Sequence, residues 1–319
     1  MSKPFFSILV PVYDQEGKMD NCIRSILEQS FGDFEALLVD DGSTDRSYEM
    51  LCAYAETDAR FRVFRHEKNR SLLCARYTGM KHSAGDYCLF LDSDDALEPD
   101  ALETLCAHIR TQSTDVIRFG LLTVPGKYPL LPVPSDDPFR DFIAGRLPPQ
   151  IIRNCISSRV IRKAVETITP FYCNSGEDTF MSGTLFFLAE SFSDIRKCLM
   201  RYNMIGGMSR EKESLTGSKL DRTLDSLDRC TEQLTRYCLG HYPGLIEDCR
   251  TTCGMMYRYE MCHYLLNARD ERQLCDFLVR FEKDEWCAEF DYACRTVLPE
   301  YFRRRFGISE GDRFIFNTF

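Results

Sequence analysis

The sequence predicts an α/β fold, a mostly parallel sheet flanked by helices, with a helical region appended at its C-terminal end. Three observations predict it. Up to Leu121, short apolar runs alternate with stretches whose apolar residues recur at helical spacing, the pattern of parallel strands covered on both faces. Acidic and polar residues follow directly after these runs, at the strand ends where sheets of this class bind ligands. Beyond Ser218 the patterning becomes helical alone.

The elements follow in order. Residues 5–13, FFSILVPVY, form a near-continuous apolar run suited to a strand buried on both faces. A helix is expected over 18–29, with Met19, Cys22, Ile23, Ile26 and Leu27 on one side. A second strand over 34–39 ends in DDGSTD, where Thr44 and Asp45 can cap a helix that ends near Tyr54. Strands at 61–64, 87–91 and 116–121 alternate with helices at 72–82 and 99–110. Prolines 125, 129, 132, 134, 138, 148 and 149 mark a loop-rich crossing, after which 151–165 reads as helix. An apolar helix opens at Gly176-Glu177-Asp178, and a strand pattern covers 195–202. Helical patterns close the chain at 220–239, 253–266 and 271–281. The expected division is 1–122, 123–215 and 216–319.

Composition narrows the function. With 44% hydrophobic and 28% charged residues, the 319-residue chain reads as an ordinary globular protein. A net charge of -9 argues against a nucleic-acid binder, which needs a basic face. Arg303 to Arg305 is the single basic triplet, a solvated helix end or a point of peripheral membrane contact. The start, MSKP, runs into a strand pattern without the layout of a secretory signal, so the expected location is the cytoplasm or the inner face of its membrane. There the sixteen cysteines act as small buried hydrophobes. Cys249, Cys253, Cys262 and His263 lack the second pair of a zinc site.

The chemistry gathers at the strand ends: Asp14, then Asp40 and Asp41, then His66 and Glu67, then Asp92 and Asp94. In DYCLFLDSDD, three carboxylates fall within four residues, and such a cluster is costly unless a cation or a donor-rich ligand offsets it. An acidic turn capping the next helix is the plainer alternative. A divalent cation on one or two carboxylates completes its coordination with substrate phosphates.

SILVPVYDQEGKMDNCIRSILEQSFGDFEALLVDDGSTDRS, followed by NRSLLCARYTGMKHSAGDYCLFLDSDDALEPDAL, resembles the nucleotide-sugar-binding half of the inverting glycosyltransferase family 2, of GT-A fold, in a bacterial-type soluble form. The resemblance implies that Pro11, Val12, Tyr13, Asp14 and Asp41 hold the nucleobase, usually uracil, and that Arg76 lies near the nucleotide. It implies that Asp92 and Ser93 meet the nucleotide while Asp94, with Asp92, holds Mn²⁺ or Mg²⁺; Asp95 has no assigned part. Glu177 and Asp178 resemble the family's acidic pair, with Asp178 the general base and Glu177 an acceptor ligand or alternate base. RYNMIGGMSR resembles a loop closing over the diphosphate, hinged at Gly206 and Gly207, with Arg201 or Arg210 in place of the basic residue that Asn203 replaces. Ser71 and Tyr77 stand where the family often has Gly and Asn.

The implied activity is transfer of a sugar from a nucleoside-diphosphate sugar, UDP foremost, to a hydroxyl of a glycan or lipid-linked glycan in cell-wall or exopolysaccharide synthesis. A non-catalytic sugar-nucleotide-binding module and a nucleotidyltransferase are the alternatives. PVYDQEG lacks the glycine-rich basic loop of the latter. The C-terminal helices are expected as core packing, with oligomer or membrane contact as the other reading.

Overall fold

The computed structural model describes residues 3–204 and 217–267, with the side chains of the second stretch covered over 222–257. The chain divides into two compact units, Met1–Arg210 and Glu211–Phe319. Gly206, Gly207, Arg210, Arg303 to Arg305, the helix expected over 271–281 and the side chains of Cys262 and His263 lie outside the described residues.

The first unit is built on β1 (Phe6–Val12), with β2 (Phe34–Asp40) on one side and β4 (Tyr87–Phe90) on the other, all three parallel. Every residue of β1, β2 and β4 is buried, which is why these runs read as continuous apolar stretches rather than as alternations. β3 (Phe61–Arg65) pairs in parallel with β2 and forms the sheet edge, and its half-buried pattern fits that position. The helices α1 (Asp20–Leu27), α2 (Ser47–Thr57) and α3 (Leu72–His82) follow the first three strands in turn. α2 starts later than its expected caps: the Asp45 carboxylate accepts from Ser47 N at 2.9 Å, while Thr44 turns back to bond Asp14.

Past β4 the sheet becomes mixed. A short β5 (Ala96–Leu97) precedes α4 (Ala101–Thr111), and β6 (Val116–Val124) pairs with the small β7 (Pro129–Leu130). After α5 (Pro138–Ile143), the helix expected over 151–165 is instead a 3-10 turn at Ile151–Arg153, a strand β8 (Asn154–Ser157) and α6 (Ser158–Thr167). The apolar residues Ile152, Cys155 and Ile156 satisfy helical spacing, but so short a run cannot separate a helix from a buried strand. Ser157 marks the true helix start, since its hydroxyl accepts from Val160 N at 3.5 Å. β8 inserts antiparallel between β4 and β6.

α7 (Glu177–Leu188) leads into β9 (Phe192–Asn203), which runs parallel to β6 and pairs antiparallel with β5. The order is β3-β2-β1-β4-β8-β6-β9-β5, a mostly parallel sheet in its first half and a mixed one beyond. The β5–β9 pairing brings the end of β9 beside the acidic stretch that follows β4.

In the second unit, α8 (Gly217–His241) packs on α9 (Ile246–Asn267), burying Leu227, Cys230, Leu234 and Cys238 of α8 and Cys249, Cys253 and Tyr257 of α9. The Tyr257 hydroxyl donates to Asp228 across the pair. No helix among the described residues is long and apolar enough to cross a membrane.

Candidate functional site

The carboxyl ends of β1, β2 and β4 open on one rim. Pro11 and Val12 are buried in β1 and turn the chain so that Tyr13 and Asp14 stand half-exposed beyond it. Asp14 sits at φ +48°, a left-handed conformation that aspartate tolerates better than most residues. Its Oδ1 accepts from Thr44 N at 2.7 Å, and Asp14 N donates to Ser43 Oγ at 3.0 Å, so the loops after β1 and β2 are stitched together. Burial, with Asp14 next, raises the Tyr13 hydroxyl above its ordinary range.

Asp41 is 3% exposed and organises the adjoining wall. Its carboxylate accepts from Arg70 N at 2.9 Å, from Ser71 N at 2.8 Å and from His66 Nδ1 at 2.6 Å. A carboxylate offers about four acceptor sites, so these bonds leave little beyond one for a ligand. Gly42 (φ +74°) lets this loop press against the segment before α3: a Cβ there would lie 2.5 Å from the Lys68 carbonyl carbon.

Ser71 takes φ +96°, where glycine is at ease and serine is not. Bonds on all sides hold it there. Besides the bond from its amide to Asp41, its Oγ accepts from Cys173 N at 2.8 Å, and Leu72 N donates to Asn174 Oδ1 at 2.7 Å. The start of α3 is thereby locked to the segment that leads into α7.

That lock aims Arg76. It is 1% exposed, and its guanidinium donates through Nη1 to Asp178 Oδ1 at 2.7 Å and through Nη2 to Asp92 Oδ1 at 2.8 Å, with Glu177 Oε1 at 3.7 Å. Burial works against its charge, but Asp92, Asp178 and Glu177 more than offset this and raise its pKa. Arg76 is therefore the hub between the acidic stretch after β4 and the acidic pair that opens α7, a larger part than proximity to a nucleotide. Gly176, left-handed at φ +79°, turns the chain into α7 so that both acids lie in its first turn, where the helix dipole favours negative charge.

The two acids are not equivalent. Glu177 is 8% exposed, and burial followed by the Asp178 charge pushes it up to about 8. Burial also raises Asp178, but Arg76 and the Ile151 amide oppose the rise, and its side chain is 35% exposed. Burial thus raises both carboxyls, while the Arg76 guanidinium favours the ionised form of Asp178, the more open of the two.

Asp92 and Asp94 stand half-exposed, with Ser93 buried between them. Burial and then the Asp92 charge raise Asp94. Asp95 faces inward at 1% exposure, where it is pushed up to about 9 by burial and by Asp92; Oδ1 accepts from Asn203 N at 2.7 Å while Oδ2 is buried without a partner. Among the described residues no three His, Cys, Asp or Glu side chains converge as a ready-made metal cage. The donor set fits a cation held in part by its ligand: two half-exposed carboxylates whose mutual repulsion a cation relieves. Tyr202, at the end of β9, joins them unforeseen. Burial and then the charges of Asp95, Asp92, Asp178 and Asp94 raise its hydroxyl, so it lies near the same carboxylates. Only its place in RYNMIGGMSR hinted at this.

The model of the family "Glycosyl transferase family 2" matches residues 7–167, half of the chain. The chain is 39% identical over 117 residues to the uncharacterized glycosyltransferase EpsJ of Bacillus subtilis, covering 37% of this chain and 34% of that protein. It is 41% identical over 103 residues to an uncharacterized glycosyltransferase of Haemophilus influenzae, covering 32% and 41%. The chain thus matches well under half the length of these relatives. Among solved structures, S. aureus TarS 1-349 in complex with UDP-GlcNAc superposes with TM-score 0.63 at 18% identity, over 94% of this chain and 92% of that one. At that identity the likeness concerns the fold, and the fold is the GT-A arrangement expected from the sequence.

Proposed function

The chain belongs to glycosyl transferase family 2, and from that premise we propose that it moves a sugar, with inversion, from a nucleoside-diphosphate sugar to a hydroxyl of a glycan or lipid-linked glycan. The observation that carries this reading is the Arg76 hub, which ties Asp92 on the donor side to Asp178 on the acceptor side within one guanidinium. The complex of the similar TarS with UDP-GlcNAc favours a UDP-sugar as donor.

Asp178 takes the proton of the acceptor hydroxyl while that oxygen bonds to the anomeric carbon and the bond from that carbon to the diphosphate oxygen breaks, on the opposite face. The Arg76 guanidinium opposes the cost of burying the Asp178 carboxylate and fixes its orientation. Glu177, protonated at neutral pH, can donate a hydrogen bond to the acceptor without competing for its proton. On the donor side Tyr13 offers a flat face to a base, Pro11, Val12 and Asp14 shape the loop beneath it, and Asp41 holds the wall. Asp94 with Asp92 would hold Mn²⁺ or Mg²⁺, which when bound neutralises charge on the departing diphosphate. Ser93 lies between these two aspartates and Tyr202 lies near them.

A thermal-shift screen of UDP, GDP and several UDP-sugars with Mn²⁺ tests the donor, since a ligand that binds the folded state raises Tm by mass action. Stabilisation by UDP over GDP is expected. No shift with any nucleotide would count against sugar transfer.

A further inference from the structure

Behind the donor wall, along the edge strand β3 and the outer face of α3, lies a cleft of about 460 Å³ whose lining includes Phe64, Arg65, Arg70, Tyr77, Lys81 and His82. Its walls carry Arg65, Arg70 and Lys81, two imidazoles, two hydroxyls and no carboxylate, in a protein whose net charge is -9. Arg65 is partly committed, with Nε 3.2 Å from Asp40 and its guanidinium 4.1 Å from the Tyr48 ring centre. Arg70 and Lys81 are exposed and have no ion-pair partner among the described residues. His82 is fixed by donating Nδ1–H to the Thr78 carbonyl at 2.9 Å and lies against Phe64, ring centres 4.5 Å apart, which leaves Nε2 for a ligand.

We propose that this cleft binds an anionic segment of the acceptor glycan, a sugar unit bearing phosphate, sulfate or carboxylate, upstream or downstream of the hydroxyl that is glycosylated. Cations without carboxylates select the charge, and the Phe64–His82 pair with Tyr77 supplies ring faces suited to sugar C–H groups. A flat lipid surface fits less well, because the cationic groups line a concavity and none of the exposed large apolar side chains among the described residues borders it. The cleft communicates with the donor wall through His66, which bonds Asp41 on one side and Thr78 on the other. The acceptor role rests on the sugar-transfer reading; the anion site itself does not.

The test measures binding of the full chain to fluorescent dextran sulfate oligosaccharides, with neutral dextran oligosaccharides and phosphatidylglycerol vesicles in parallel. The wild type should bind dextran sulfate in a salt-sensitive way and ignore neutral dextran. Lys81→Glu should weaken that binding several-fold, and Lys81→Glu with Arg70→Glu by about tenfold or more, with donor hydrolysis by Lys81→Glu unchanged. Equal binding by wild type and Lys81→Glu, or no binding by wild type, overturns the proposal, as does binding of the vesicles in place of dextran sulfate. Thermal stabilisation by UDP, measured on the same samples, reports separately on the donor site, so a failure there is told apart from a failure of the cleft.

Discussion

Arg76 Nη1 donates to Asp178 Oδ1 at 2.7 Å, joining residues 102 positions apart in the chain. The same guanidinium bonds Asp92, so the rigid fork of one arginine holds the acidic stretch after β4 and the acidic pair of α7 as a single electrostatic unit.

Removing the fork leaves three carboxylates facing each other. Arg76→Met should cost about 3 kcal/mol of folding stability, the lower end for a broken buried ion pair because Asp178 and Asp92 keep some solvent. Urea unfolding measures it. A loss under about 1 kcal/mol would mean that water already screens these charges.

Ser71 gives a ranking. Ser71→Ala retains the strained φ +96° and leaves the Cys173 amide without its acceptor, at a cost of about 2 kcal/mol. Ser71→Gly loses the same bond but relieves the backbone, so it should be the milder change by about 1 kcal/mol. Chemical denaturation of the two variants checks the order, and a less stable glycine variant contradicts it.

Glu177 links stability to pH. Its folded pKa, about 8, lies above the ordinary 4.5, so the folded state holds the proton more tightly. The stability this contributes is complete below about pH 4.5 and is lost as pH rises through 8. Glu177→Gln, which mimics the protonated form, should show a flatter decline of Tm across that window. An unchanged slope would place the titration elsewhere.

The first half of the fold was legible because β1 and β2 are buried on both faces, which calls for largely apolar runs. β8 was not, since Ile152, Cys155 and Ile156 fit two periodicities and only the pairing with β4 and β6 decides between them. In the site, the individual acids stood out by type and spacing, whereas their relations did not. Nothing in the α3 pattern reveals that Arg76 points inward to bridge two distant acidic stretches, or that Asp95 turns away from solvent to take the Asn203 amide. Tyr202 was hidden for the same reason: the β5–β9 pairing, not its neighbours in sequence, places it among the carboxylates.

The two acids of α7 also predict a pH profile for transfer. The base works ionised, so the rate should rise with pH along an acid limb displaced above the ordinary carboxylate range, because burial raises Asp178. A limb at the value of a free aspartate would argue that another group takes the proton.

The most direct measurement compares single-turnover sugar transfer by wild type and Asp178→Asn while nucleotide binding is followed by calorimetry on the same preparations. The expected result is donor binding within about twofold of wild type and transfer slower by about 10² to 10⁴, the usual consequence of losing a general base. Transfer by Asp178→Asn at the wild-type rate, with donor binding intact, would contradict the assignment of Asp178 as the base.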